Sequence, residues 1–193
     1  MNLRKTVDEL DLKYHARKVV IVDEVDAEMG TTSLIEAHRD PGIQHRAFSL
    51  QLYRVKGDKK ELLLQQRAEN KPVFPLYWAN TCCYNLASGE QYVPRAVSRV
   101  LEEMGIEVVE ESLKILYKFA YYAPDIEGWC ENELDTVIVG EWDGEVVLNR
   151  DEVRDYKWMT LEEIDREIEQ KPDEYAPWFR MIVDDPRFRS VFE

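Results

Sequence analysis

The sequence predicts a single α+β domain in which strands precede and follow one long helix, with further helices near the end of the chain. Three observations indicate this fold class. The 193 residues suffice for one buried core, and no repeat, low-complexity tract or linker divides them. Several segments alternate in polarity or are rich in β-branched and aromatic residues. One segment carries apolar residues at helical spacing, so an α/β/α sandwich is favoured.

The first half of the chain predicts three strands. Lys18 to Val22 is apolar and precedes a polar turn. Ala47 to Val55 alternates and ends in a Lys/Gly/Asp turn, so Glu61 to Arg67 is expected to be its hairpin partner. Arg67 to Pro75 predicts a loop.

The long helix is predicted from Glu90 to Met104. Pro94 suits its first turn, and Gly105 is a natural stop. Its apolar face follows a spacing of 3.6 residues and comprises Ala96, Val97, Val100, Leu101 and Met104.

The second half predicts three more strands and two helices. The strands are Leu113 to Tyr122, Leu134 to Trp142 and Val153 to Met159. The helices are Leu161 to Gln170 and Pro177 to Val183.

Composition narrows the classes of partner and location. The net charge of −14 argues against nucleic acid or an anionic membrane as the main partner, although a local basic pocket could still bind an anionic small molecule. The chain has no apolar run near the ~18 residues of a membrane span, so a cytoplasmic location is expected. Three cysteines, two of them adjacent, do not form a disulfide framework.

The segment from Phe74 to Asn85 places Cys82 and Cys83 side by side in aromatic, nearly uncharged surroundings. A Glu-Asn-Glu triplet at 131–133 and two histidines, His38 and His45, lie elsewhere. If these groups converge, a thiol, carboxylates and imidazoles in an apolar wall suit proton transfer at carbon. Buried cysteines are also common as inert core residues, and this interpretation is preferred for Cys82.

The end of the long helix carries Glu102 and Glu103, which by themselves indicate a solvated helix terminus. The wider spacing resembles the Nudix box, Gly-x5-Glu-x7-Arg-Glu-hydrophobic-x-Glu-Glu-x-Gly-hydrophobic. The matching positions are Glu90, Val100, Glu102, Glu103, Gly105 and Ile106. Tyr84 replaces the first glycine and Ser98-Arg99 replaces Arg-Glu. An arginine there suits a diphosphate directly.

Further motifs resemble one branch of that superfamily, the type 1 isopentenyl-diphosphate isomerases, especially their eukaryotic members. The motifs are His45-Arg46-Ala47-Phe48-Ser49, Leu62-Leu63-Leu64-Gln65-Gln66-Arg67, Asn80-Thr81-Cys82-Cys83, Glu131-Asn132-Glu133 and Ala176-Pro177-Trp178-Phe179. The resemblance implies a Nudix α/β/α sandwich with a mixed sheet and an added N-terminal segment. It implies one domain over residues 1–193, comprising an arm (1–17), an isomerase-like core (18–183) and a C-terminal tail (184–193).

The resemblance also implies a reaction in isoprenoid biosynthesis, the interconversion of isopentenyl and dimethylallyl diphosphate. Cys83 would be the catalytic thiol and Glu133 its acid or base partner. Tyr121 would help to move the proton, and Trp178 would stabilise a carbocation through its π face. Without the resemblance, a core aromatic is an equally good interpretation of Tyr121, and Trp178 would be interpreted as a packing residue.

The substrate's diphosphate would be bound by cations that match the family's anion-binding positions, Arg67, Lys71 and Arg99. Glu103 would help to hold Mg²⁺ against the diphosphate. Another basic position of the family is Leu34 in this chain, so that charge is missing or is supplied by a different residue.

The resemblance also implies a structural metal, which would be bound by His38, His45, Glu131 and Glu133. This second divalent ion would be Zn²⁺ or Mn²⁺. The third histidine position is Asn85, whose neutral carbonyl oxygen is a weaker ligand than imidazole. The site could bind a metal through fewer nitrogens, work without that metal, or belong to a protein that has left isomerase chemistry.

Two alternatives stay open at this point. A Nudix hydrolase that cleaves a diphosphate would use Glu90, Glu102 and Glu103. A non-catalytic protein that binds a prenyl diphosphate would account for Leu34 and Asn85. In all three hypotheses the partner is a small-molecule prenyl diphosphate or related diphosphate, with no nucleic acid and no membrane, and the sequence leaves the oligomeric state open.

Overall fold

The computed structural model describes residues 16–192, so the predicted N-terminal arm lies outside the described residues except for its last two positions. The strands are β1 (Lys18–Val22), β2 (Glu28–Ser33), β3 (His45–Lys56), β4 (Lys59–Arg67), β5 (Trp78–Ala79), β6 (Cys82–Asn85), β7 (Leu113–Pro124), β8 (Cys130–Glu141) and β9 (Val153–Met159). The helices are α1 (Leu34–His38), α2 (Tyr92–Met104), α3 (Leu161–Gln170), α4 (Pro177–Asp184) and α5 (Pro186–Arg189). Short 3-10 turns lie at Glu110–Ser112, Ile126–Gly128 and Pro172–Glu174.

Strand β3 is the centre of one mixed sheet. It runs parallel to β8 and antiparallel to β6, and the same stretch of β3 pairs with both. The two neighbours must therefore lie on opposite sides of β3. Beyond them, β7 pairs with β8, and β4 carries β9 and β5.

Alternation along the strands sends apolar side chains to both faces of the sheet. In β4, Leu62 and Leu64 join one core and Leu63 joins the other. Helix α2 covers the second core with Ala96, Val100 and Met104, whereas the C-terminal helices cover the first. The α+β class and the α/β/α sandwich are thus confirmed.

The predicted helix and strands are present, with shifted ends. Helix α2 begins at Tyr92, and Glu90 lies in the preceding turn, where its carboxylate accepts the amide of Ala87. Leu101 is 48% exposed, so its expected place in the apolar face was wrong. Strand β8 begins at Cys130 and so includes the Glu-Asn-Glu triplet.

The C-cap position of the long helix, before the following loop, requires a glycine. Gly105 ends α2 with φ 63°, and a Cβ there would lie 2.8 Å from Cβ of Val147, so both backbone and space require glycine. Within the 184–193 segment, Phe188 of α5 is fully buried in the core.

None of the helices in residues 16–192 has the length and apolar composition of a membrane span.

Candidate active site

A pocket opens where the first half of β8, strand β6 and helix α1 meet the loop after β4. Most of the side chains predicted for the site line it: His38, Arg67, Lys71, Cys83, Asn85, Arg99, Tyr121, Glu131, Glu133 and Trp178. His45 and Glu103 are buried behind these residues. Strands β6 and β8 flank β3, so Cys83 and Glu133 enter the pocket from different sides.

Four of the predicted metal ligands form one buried cluster. Suitable ligand atoms of His38, His45, Glu131 and Glu133 all lie within 4.8 Å of one another. Glu131 and Glu133 alternate with Asn132 along β8, so their side chains share a face of the sheet. The register opposite β3 places Glu133 beside His45. Residues that are far apart in the sequence therefore meet in one cluster in the fold.

Backbone carbonyls determine the tautomers of both histidines. Nδ1 of His38 lies 2.8 Å from the carbonyl oxygen of Leu34, and Nδ1 of His45 lies 2.8 Å from that of Ile43. A carbonyl oxygen can only accept, so each Nδ1 carries the hydrogen. In the neutral rings, both Nε2 lone pairs are then directed to the cluster, which is the orientation that a metal-binding imidazole requires.

The contact between His38 and Glu131 tests whether a cation fits. Nε2 of His38 lies 2.9 Å from Oε2 of Glu131, yet that oxygen is buried without a hydrogen bond among the described residues. Burial lowers the pKa of His38, so the ring is neutral and both atoms are acceptors. Burial and the charge of Glu133 raise the pKa of Glu131. Two facing acceptors require a proton or a metal ion, so the residues fit a divalent cation.

Asn85 faces the same cluster through its amide nitrogen. Nδ2 donates to Oε1 of Glu133 at 2.5 Å and lies 3.1 Å from Nε2 of His45. In this arrangement the asparagine is a hydrogen-bond donor to two of the metal-binding side chains. Its role as a ligand stays a prediction, because only the oxygen of the amide could bind a metal.

One buried amide orients the predicted catalytic thiol and the indole together. Oδ1 of Asn80 accepts from Sγ of Cys83 at 3.1 Å and from Nε1 of Trp178 at 2.9 Å. Its Nδ2 is bonded to the carbonyls of Leu50 and Cys82. Burial, partly opposed by Arg67, raises the pKa of Cys83 to about 12, so the group is a thiol at neutral pH.

The other predicted proton-transfer group, Glu133, is hydrogen-bonded to Tyr121. The hydroxyl of Tyr121 donates to Oε2 of Glu133 at 2.6 Å. Burial opposes ionisation of Glu133, but its interactions with His45 and the hydrogen bond from Tyr121 outweigh this and lower the pKa of the carboxyl. Burial and the same carboxylate raise the pKa of Tyr121 well above its usual value. Glu133 is therefore a carboxylate held by a neutral phenol.

Cationic side chains also line the pocket. Arg67 donates to the carbonyls of Phe74 and Val73, which directs its guanidinium along the wall, 5.3 Å from the Trp178 ring. Lys71 and Arg99 share the carboxylate of Glu152, at 2.5 and 2.7 Å.

Glu103 lies beneath these cations. It forms ion pairs with Arg99 and Lys71, and its Oε2 accepts from Gln65 at 3.0 Å. Both of its oxygens are therefore engaged, and a magnesium ion at Glu103 would have to compete with the two cations.

The carboxylates of the hydrolase alternative are held in ion pairs with arginines. Glu102 is exposed and forms ion pairs with Arg95 and Arg99, and Glu90 holds the turn before α2. Arg99 thus lies among the carboxylates at the end of the helix and neutralises them. This arrangement does not favour the metal chemistry that a hydrolase needs.

Among the polar and aromatic residues in or around the pocket, the sequence did not single out Arg17, Asn80, Trp129 or Glu152. Asn80 lies in a recognised motif, so its position next to Cys83 was a usable signal. Glu152 is 53 positions from Arg99 and carried no local pattern. Arg17 meets Asn85 across 68 positions. Such contacts depend on the sheet and not on local spacing.

Known proteins similar to this chain identify its family. A model of the NUDIX domain matches residues 44–180. An isopentenyl-diphosphate Delta-isomerase of Nocardia farcinica is 38% identical over 167 residues, which is 86% of this chain and 92% of that protein. The chain belongs to the type 1 isopentenyl-diphosphate isomerases of the Nudix superfamily. Isopentenyl-diphosphate Delta-isomerase 2 of Photorhabdus laumondii is 35% identical over 91% of this chain and 95% of its own.

Solved structures agree on the fold of this isomerase family member. The crystal structure of DR0079 from Deinococcus radiodurans aligns with a TM-score of 0.64 at 20% identity, over 83% of this chain and 92% of that one. At this identity the likeness shows the Nudix fold alone. The fold predicted from the motifs is therefore confirmed by both comparisons.

Proposed function

We propose that this protein catalyses its family's reaction with Cys83 and Glu133 as the two proton-transfer groups. The reaction interconverts isopentenyl diphosphate and dimethylallyl diphosphate. The observation that carries the proposal is the common pocket, in which a neutral thiol and a phenol-bound carboxylate approach from opposite sides of β3. Cationic side chains line the same pocket.

The chemistry requires one proton to be added and one to be removed. The terminal alkene carbon gains a proton, which leaves a tertiary carbocation at the adjacent carbon. A proton then leaves the next carbon towards the diphosphate, and the new double bond forms there. One of Cys83 and Glu133 gives the first proton and the other accepts the second, so the enzyme is restored once protons are exchanged.

The intermediate has to be stabilised and kept from water. Trp178 is 2% exposed and presents its ring to the pocket, where Arg67 already lies against it. An indole that attracts a guanidinium also attracts a carbocation. Phe74 packs edge-on against the indole at 5.5 Å, and Tyr121 lies 6.2 Å away, so aromatic rings form a dry wall.

Divalent ions would complete the site. His38, His45, Glu131 and Glu133 would hold one ion, with Zn²⁺ or Mn²⁺ suited to two imidazoles and two carboxylates. When bound, such an ion supplies positive charge that keeps both carboxylates ionised and fixes their orientation. Magnesium would accompany the diphosphate near Glu103, and the prenyl diphosphate would be the small-molecule partner. A cytoplasmic location stays a prediction.

The test is conversion of isopentenyl diphosphate by purified protein with added magnesium. We expect dimethylallyl diphosphate from the parent protein, and a loss of at least about 100-fold in kcat for Cys83→Ala and for Glu133→Gln. Cys82→Ala is the matched control, since Cys82 is buried away from the pocket under α2. Absence of product, or full activity of Cys83→Ala, would refute the mechanism.

The non-catalytic alternative is motivated by Asn85. A binding protein would be stabilised against heat by a prenyl diphosphate but would give no product. The same purified protein can be used for both measurements. Turnover that depends on Cys83 excludes this alternative.

A further inference from the structure

Arg17 enters the pocket from the segment just before β1. Its Nη2 donates to the carbonyl oxygen of Asn85 at 2.7 Å, and its guanidinium carbon lies 3.8 Å from the centre of the Tyr84 ring. Its own carbonyl accepts the amide of Leu34 at 2.8 Å. The backbone of Arg17 is thus attached to helix α1, and its side chain lies across β6.

The charge of Arg17 is not neutralised within the described part of the chain. No carboxylate there lies within ion-pair distance of it, and its Nε is buried without a hydrogen-bond partner. Lys71 and Arg99, by contrast, share Glu103 and Glu152. Burial lowers the pKa of Arg17, yet a guanidinium stays charged at neutral pH. A buried cation with no ion-paired carboxylate among residues 16–192 is costly, so an anion bound in the pocket would stabilise Arg17.

Tyr84 holds this guanidinium in place. Arg95 lies 4.0 Å and Arg99 5.4 Å from the centre of the same ring. Three guanidinium groups therefore surround one phenol ring, which stabilises them through its π face and separates their charges. Arg17, Lys71 and Arg99 all line the same pocket.

We propose that Arg17 binds the diphosphate of the substrate and supplies the positive charge that Leu34 does not. This proposal rests on the proposed function, because it assigns a residue to the same pocket. Nε–H and the remaining Nη hydrogens donate to phosphate oxygens as a fork, and Arg17 sets affinity for the diphosphate while leaving proton transfer unchanged.

Inorganic pyrophosphate tests this assignment by titration calorimetry, with and without magnesium. We expect Arg17→Ala to weaken binding about 10- to 100-fold, and Arg17→Lys to restore it only in part, because lysine lacks the fork. Arg17→Met retains packing on Tyr84 without charge and should weaken binding as alanine does. Arg166→Ala, an exposed arginine of α3 outside the pocket, should bind as the parent does.

Steady-state kinetics separate binding from structure. We expect KM for isopentenyl diphosphate to rise in parallel with the pyrophosphate dissociation constant, and kcat to stay within about threefold. If Arg17→Met binds pyrophosphate as tightly as the parent while Arg67→Ala does not, the role of Arg17 is refuted. The assignment of the pocket to diphosphate binding would then still stand. If neither substitution weakens binding, both this inference and the proposed function fail.

Discussion

The hydroxyl of Tyr121 lies 2.6 Å from Oε2 of Glu133. The two residues lie opposite each other on the paired strands β7 and β8. The other carboxylate oxygen of Glu133 accepts from Asn85. Both oxygens of the proposed acid–base group are thus engaged, one by a phenol and one by an amide. The phenol is the partner that can also carry a proton.

Tyr121→Phe removes this donor and retains the ring. We expect kcat to fall about 10- to 100-fold with little change in KM, because a hydrogen bond to a charged group contributes about 1.5–3 kcal/mol. Tyr122→Phe is the control, since that side chain is exposed and bonded to Asp40. Equal kcat values for Tyr121→Phe and the parent would contradict a role for the phenol in proton transfer.

Asn80 is expected to be a positioning residue for both Cys83 and Trp178. Asn80→Ala leaves the buried indole N–H without its acceptor, so the free energy of unfolding should fall by about 1–3 kcal/mol in urea denaturation. kcat should fall as well, because the thiol loses its orientation. In the Asn80→Ala/Trp178→Phe double variant the two unfolding losses should be less than additive. Additive losses of unfolding free energy would show that Asn80 and Trp178 do not interact energetically.

Asn85→His should raise the affinity of the cluster for Zn²⁺ or Mn²⁺, since imidazole is a stronger ligand than an amide. Metal content after dialysis, measured by atomic emission, and isomerase rate should rise together. Asn132→His is the matched control, because Asn132 lies between the two glutamates but on the other face of β8. If the parent already retains a full equivalent of metal, the Asn85 position does not limit binding.

Glu152 should contribute stability that depends on pH. Burial opposes its ionisation, but Lys71 and Arg99 outweigh this and lower the pKa of Glu152 from 4.5 to about 2. Because the folded-state pKa is the lower one, the stabilisation is complete above pH 4.5 and is lost as pH falls towards 2. Glu152→Gln should therefore cost about 1–3 kcal/mol at pH 7, and the difference from the parent should shrink at pH 3. A difference that is the same at both pH values would contradict the assignment.

Long periodic elements were predictable because their signals are local. The face of α2 and the strand Val153 to Met159 follow from spacing and β-branched composition, which depend only on neighbouring residues. Strand β6 and helix α1 were missed since four or five residues are too few for a period to show. Both elements carry residues of the candidate site, so the elements that the sequence did not predict are ones that form the pocket.

By itself the sequence determined the family and the presence of Asn85 at the third histidine position, and it predicted Cys83 and Glu133 as the proton-transfer groups, because motifs record side-chain types. Only the tertiary structure decided which atoms meet. The amide of Asn85 faces Glu133, Asn80 joins Cys83 to Trp178, and Arg17 reaches the pocket from outside every motif. These contacts join residues on separate strands, and register, not spacing along the chain, determines the distances between them.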